Sequence, residues 1–106
     1  MLLTTTDSIE DKTISKYLGI VMGEGVIGGH VLSAMSSSVS DSDGRGPGAY
    51  ERDLKMARDA AMKRLVESAT KISADAVIGI DVDYISAGKD SGMLLVVAAG
   101  TAVNLV

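Results

Sequence analysis

Met93-Leu94-Leu95-Val96-Val97-Ala98-Ala99-Gly100-Thr101-Ala102-Val103-Asn104-Leu105-Val106 is the stretch that decides the fold. Read as a strand, it carries Met93, Leu95, Val97, Ala99, Val103 and Leu105 on one face. The other face carries Leu94, Val96, Ala98, Gly100, Ala102 and Val106, because successive side chains point to opposite sides. Both faces are apolar. An antiparallel strand with one wet face alternates polar and apolar residues, so this strand needs cover on both sides. It is too short for a membrane span of ~20 residues and is interrupted by Gly100, Thr101 and Asn104.

Working upstream, Ala87 to Gly92 has the glycines of a hairpin turn. Before it, Ala76 to Ile85 reads as the partner strand. Simple alternation places Ala76, Ile78, Ile80, Val82 and Tyr84 on one face, and Val77, Gly79, Asp81, Asp83 and Ile85 on the other. Ala49 to Ser73 predicts a long amphipathic helix. Leu54, Ala57, Ala61, Leu65, Ala69 and Ile72 recur at three and four residues, and Met62 and Val66 widen the stripe. Glu51–Lys55, Asp59–Lys63 and Glu67–Lys71 are acid-to-base pairs at i, i+4, each worth ~0.3 kcal/mol when exposed. One helix covers one face of a small sheet. The second face, left bare, would form the kind of apolar patch that marks an interface. Closed homo-oligomers are the usual way to bury one. The competing arrangement is a short helix over Val31, Leu32, Met35 and Val39 that covers the second face within a monomer.

Nearer the start, Leu2 to Thr6 and Thr13 to Met22 read as two strands joined in a hairpin by a polar link. In the second, Ile14, Leu18, Ile20 and Met22 are expected on one face and Ser15, Tyr17, Gly19 and Val21 on the other. Gly23 to Gly29 holds four glycines in seven residues, which predicts a sharp change of direction. The expectation is a single domain over residues 1–106 of class α+β: a small antiparallel sheet packed on one long helix, in the order β-β-short α-α-β-β.

Composition narrows the function. The chain has 106 residues, 46% hydrophobic but only 3% aromatic, with three Tyr and neither Phe nor Trp. The core is therefore aliphatic. Ten Lys+Arg against fourteen Asp+Glu give a net charge of -4, which argues against a nucleic-acid binder. The long helix is the basic element, through Arg52, Lys55, Arg58, Lys63, Arg64 and Lys71, while the strands carry acids. Its cations could pair with a neighbouring copy. With no Cys, disulfides, thiolate metal sites and cysteine nucleophiles are excluded. Met1 to Thr6 has no basic, apolar leader pattern, so a cytoplasmic protein without a membrane partner is expected.

Gly23-Glu24-Gly25-Val26-Ile27-Gly28 matches G-x-G-x-x-G literally. The dinucleotide fingerprint also needs a following helix, a parallel return strand and a later acid, and the chain is too short for that context. Glycines where chains approach closely are the plainer reading. Asp41-Ser42-Asp43-Gly44 fails as a calcium loop, since Val39 and Tyr50 would fall at the two end ligands. Asp81 and Asp83 lie two apart on one strand, so their carboxylates share a face. Such a pair is costly unless solvated, countered or bridged by a cation, which makes it the candidate site for a divalent metal. Gly28, His30, Tyr50 and Glu51 are the candidates for a small ligand between subunits; Glu51 also suits a helix N-terminus electrostatically.

Several segments, in order and spanning nearly the whole chain, carry a resemblance. They are Thr4-Thr5-Thr6, Tyr17 to Val21, Gly23-Glu24, Gly48-Ala49-Tyr50-Glu51, Ala57-Arg58, Ala74 to Tyr84 and Gly100 to Val103. Together they resemble the YbjQ family of small bacterial and archaeal proteins, a family described as heavy-metal-binding. The resemblance implies an α+β subunit similar to the dodecin-like arrangement, assembled as a pentameric ring. The chain departs from the family pattern at Ser73, where Gly is usual, at Ile85, where Glu is usual, and at Pro47. The missing Glu thins the acidic cluster. Soft metals select thiolate and imidazole, and this chain offers no Cys and one His. Three functional readings follow: an oligomeric binding or scaffold protein with its ligand between subunits, a hard-cation site at Asp81 and Asp83, and an enzyme using Tyr50, Glu51 and His30 at an interface.

Overall fold

A computed structural model describes residues 1–28, 47–87 and 93–106, with side chains at all of these except 47–50 and 87. The elements are β1 (Leu2–Leu3), β2 (Ile14–Ile27), α1 (Pro47–Lys71), β3 (Ala76–Ala87) and β4 (Met93–Leu105). They form one sheet in the order β1-β3-β4-β2 with the helix on one side, an α+β architecture. The expected short helix over Val31 to Val39 and the turn after Ala87 lie outside the described residues.

The two-faced apolar strand is central. β4 pairs antiparallel with β2 on one flank and with β3 on the other. The sheet is mixed, however, because β1 runs parallel to β3, with Leu2 beside Ala76 and Leu3 beside Val77. The expected hairpin between the first two strands is therefore overturned: β1 and β2 sit at opposite edges. Backbone pairing beyond β1 explains the choice. Thr4 N–H donates to the Val77 carbonyl (3.0 Å), Ile80 N–H to Thr4 (3.1 Å) and Gly79 N–H to Thr6 (2.8 Å). The Thr run thus follows β3 around a bulge at Gly79, whose φ of 61° suits glycine.

The glycine run is strand, not turn. β2 continues through Gly23 and Gly25, both buried. A Cβ on Gly23 would run into the Ala61 carbonyl and Leu65 N, and one on Gly25 into the Ala57 carbonyl. Helix backbone lies directly on strand backbone here, with Ala57, Ala61, Leu65 and Ala69 all buried beneath it. The strand numbers rise as the helix numbers fall, so α1 is antiparallel to β2. Ser68 Oγ donates to the Met22 carbonyl (3.2 Å) and Arg64 donates to the Glu24 carbonyl. The helix thereby closes part of the outer edge of β2, which would otherwise offer unpaired backbone groups.

Bulges reassign the faces that simple alternation predicts. Register shifts at Ile14/Lys16 and Tyr17/Gly19 bring Leu18 and Val21 to the helix side. Ile20 and Met22 go to the far side, 78% and 48% exposed. The shift between Ile78 and Asp81 groups Val77 with Ile80 and Val82 against the helix. Ala76 and Ile78 turn away with Asp81 and Asp83 and form a second small core with Val103, flanked by Ile9, Ile14 and Leu105. The segment after β1 thus covers one end of the far face. Molecular extents of 54 × 21 × 20 Å match one sheet plus one helix layer at ~10 Å per layer.

At its end α1 closes with a paired-bond C-cap: Ser73 N–H donates to the Thr70 carbonyl and Ala74 N–H to the Ala69 carbonyl, both 3.0 Å. Ser73 holds the left-handed position at φ 62°. Asp75 and Asn104 then tie this corner to β4. Asp75 Oδ2 accepts from Leu105 N–H (2.8 Å), and Asn104 Nδ2 donates to the Ser73 carbonyl (2.8 Å). Among the described residues α1 carries an ion pair between Lys55 and Asp59 at 2.8 Å, opposite in order to the expected pairs and well exposed, so it contributes little.

Two substitutions should move stability in opposite directions. Gly25→Ala forces the helix off the strand and should cost at least about 2 kcal/mol. Ser73→Gly removes a left-handed penalty and should gain about 1 kcal/mol. Urea unfolding followed by circular dichroism checks both.

Candidate functional site

The far face of the sheet is a grid of rows set by strand pairing. Ile20, Thr101 and Ile78 form one row; Met22, Ala99 and Asp81 the next; Glu24, Val97 and Asp83 a third; Val26, Leu95 and Ile85 the fourth. The predicted shared face of Asp81 and Asp83 is realised, one row apart on β3. Asp81 beside it holds the Asp83 carboxyl above an aspartate's ordinary value, first by hydrogen bonding to its protonated form and then by repulsion between the charged forms. Two carboxylates in contact repel, so one proton between them is favoured. Both are exposed, which leaves room for a counter-ion.

A third acid completes the picture and was not singled out from the sequence. Glu24 stands in the Asp83 row across Val97, so the two backbones are about 10 Å apart. Its signal was hidden because Gly23-Glu24-Gly25 reads as a turn. Only with β2 extended through it does Glu24 join the acidic band. Among the described residues, no three or more His, Cys, Asp or Glu side chains converge on a point where they could hold a metal ion.

The small-ligand candidates belong elsewhere. Gly28 is buried just beyond β2 with φ 92°. Glu51 is exposed near the start of α1, and Tyr50 lies in the same first turns. Since α1 runs antiparallel to β2, Gly28 and Glu51 stand at the same end of the molecule. His30 and the Tyr50 side chain fall outside the described residues. At this end Arg58 donates to the Tyr84 hydroxyl at 3.5 Å, and the phenol raises the guanidinium pKa further. At the opposite end an open groove of 550 Å³ is lined by Leu2–Thr4, Thr6 and Ser8–Glu10. The Thr4 and Thr6 hydroxyls hydrogen-bond to each other (2.8 Å), and the Thr6 hydroxyl donates to the Ser8 carbonyl (2.6 Å).

Comparison with known proteins adds two findings. Residues 1–106 match the YbjQ_1 family model, described as "putative heavy-metal-binding". The chain is also similar to the crystal structure of a protein of unknown function of the DUF74 family from Pediococcus pentosaceus ATCC 25745. That likeness has a TM-score of 0.64 at 18% identity and covers 100% of this chain and 98% of the other. It speaks to the fold alone.

The donors present do not fit a soft heavy metal. Such ions prefer thiolate and imidazole, the chain has no Cys and a single His, and the acid pair is all-oxygen. Two carboxylates suit a hard cation, with further ligands from elsewhere.

The Asp83 carboxyl should titrate above an ordinary aspartate, and Asp81→Asn should return it to the usual range. Because its folded pKa is raised, the pair weakens the fold at neutral pH and the penalty fades as pH falls through that pKa. Wild type should therefore gain stability relative to Asp81→Asn on acidification. Carbon-detected NMR titration and urea unfolding at pH 7 and pH 4 check the two statements.

Proposed function

Starting from the fact that the chain belongs to the YbjQ family, we propose that it is a homo-oligomeric binding protein whose ligand lies between subunits. The observation that carries this is the far face of the sheet. Ile20, Met22, Val26 and Ile85 are 78%, 48%, 52% and 46% exposed there, beside half-buried Leu95, Val97 and Ala99. Monomeric soluble proteins rarely leave so many large apolar side chains gathered on one face in water. Fully burying one such side chain contributes ~1.5–3 kcal/mol relative to leaving it exposed. Covering this face with another copy is the most direct use of it, and five copies in a ring is the assembly that the family resemblance implies. The ligand then sits where Gly28 and Glu51 of one subunit approach the next.

A second reading is favoured by the Asp81–Asp83 contact: a hard divalent cation held by this pair together with groups from a neighbouring subunit. The cation would relieve the repulsion that now raises the Asp83 pKa.

Native mass spectrometry and sedimentation should find a multimer at micromolar concentration, and Ile20→Lys with Val26→Lys should convert it to folded monomers. A compact wild-type monomer would overturn the first reading. For the second, titration calorimetry with Mg²⁺, Mn²⁺, Ca²⁺ and Zn²⁺ should give heat that the Asp81→Asn/Asp83→Asn variant lacks. Identical blank titrations would end it.

A further inference from the structure

α1 does not sit squarely over the sheet. It packs chiefly against β2 and then β4, and leaves β3 to one side. Arg64 and Ser68 mark the flank turned to the outer edge of β2. Leu54, Arg58 and Met62 follow one another at intervals of four residues on the opposite flank, towards β3. Leu54 and Met62 are half-buried against the core, as are Val82 of β3 and Leu94 of β4. Tyr84, next on the helix-facing side of β3, is 45% exposed. Helix flank and strand therefore border a cleft with apolar walls, open to solvent at Tyr84.

Arg58 spans this cleft, donating to the Tyr84 hydroxyl at 3.5 Å. That bond is long and engages one of five guanidinium N–H groups. Among the described residues no carboxylate is in ion-pair contact with Arg58, and Asp59 beside it is engaged by Lys55 at 2.8 Å. The strand side chains facing it, Val82, Tyr84 and Leu94, carry no charge. An arginine fork among apolar side chains suits a planar carboxylate, which it meets with two parallel N–H···O bonds. The Tyr84 hydroxyl accepts from Arg58 and can donate its own proton to the same carboxylate. A phosphate dianion calls for more positive charge than this flank offers.

We propose that the cleft between α1 and β3 binds a small monocarboxylic acid with an apolar body, its carboxylate held by Arg58 and Tyr84 and its body laid along Leu54, Met62 and Val82. This inference rests on the ligand-binding reading above and names the class of ligand. The cleft lies at the end of the molecule that carries Gly28 and Glu51. Glu51 stands seven residues before Arg58 on the same flank, where it repels a second acidic group on the ligand.

Titration calorimetry and methyl NMR with octanoate, octanol and octyl phosphate test the site, with folding of each variant verified by circular dichroism. Octanoate should bind and shift the Leu54, Met62, Val82 and Leu94 methyl signals. Octanol keeps the body without the charge and should bind about tenfold more weakly. Octyl phosphate should bind no tighter than octanoate. Arg58→Gln should lose the same factor for octanoate and leave octanol unchanged. Arg58→Lys should recover only part of it, because lysine keeps the charge without the fork. Tyr84→Phe should weaken octanoate a few-fold. Equal affinity for octanoate and octanol would overturn the proposal, as would unchanged octanoate binding by Arg58→Gln. So would shifts confined to Ile20, Val26 and Ile85 on the far face, or no binding at millimolar octanoate. Tighter binding of octyl phosphate would overturn the carboxylate assignment. Sedimentation of the same samples separates the two readings. Octanoate held in the cleft of a monomer keeps this site and removes the placement between subunits; a multimer that ignores octanoate removes this site and leaves assembly standing.

Discussion

The contact between α1 and β2 is the constraint on which the rest depends. Helix and strand backbones meet at Gly23 and Gly25, against Ala57, Ala61 and Leu65. No larger residue fits at either glycine. Glycine in a strand costs conformational entropy, and here that cost is offset by close packing along the helix. The contact places α1 over an edge strand, where Ser68 and Arg64 take up two of the edge's carbonyl groups. It also commits the helix to one side of the sheet and leaves the other side without a helix among the described residues.

Bulges then distribute the chemistry. Without the shift at Gly79, Ile78 would lie with Ile80 and Val82, and the acids would share a face with Val77. With it, Asp81 and Asp83 stand on the far face beside Ile78, and the paired shifts in β2 send Ile20 and Met22 to join them. The result is one face packed by the helix and another that mixes exposed apolar side chains with an acidic band. An extra residue in a strand exchanges every side chain beyond it between core and surface, which is why three local irregularities govern the character of an entire face.

The mixture explains why a metal and an assembly role compete for the same residues. The Asp81–Asp83 contact calls for positive charge. Around it, exposed Ile20, Val26 and Ile85 call for apolar cover. A lone cation answers only the first need. All-oxygen donors also set the chain apart from the soft-metal chemistry in its family's description, a difference grounded in the absence of Cys.

Much of the architecture was legible in the residues themselves. Two-sided apolar character in Met93 to Val106 foretold a strand in need of cover on both faces, and the spacing of Leu54, Ala57, Ala61, Leu65 and Ala69 foretold the helix and its buried face. The shared face of Asp81 and Asp83 follows from a two-residue period that no bulge interrupts between them. Local patterns suffice there because each depends on neighbours in the chain. What only the tertiary structure decided depends on partners distant in sequence: β1 joining β3 rather than β2, the glycine run serving as strand under a helix, and Glu24 reaching the acidic band. A glycine in isolation permits a turn or a close approach equally well, and it is the helix backbone at Ala57 and Ala61 that selects between them.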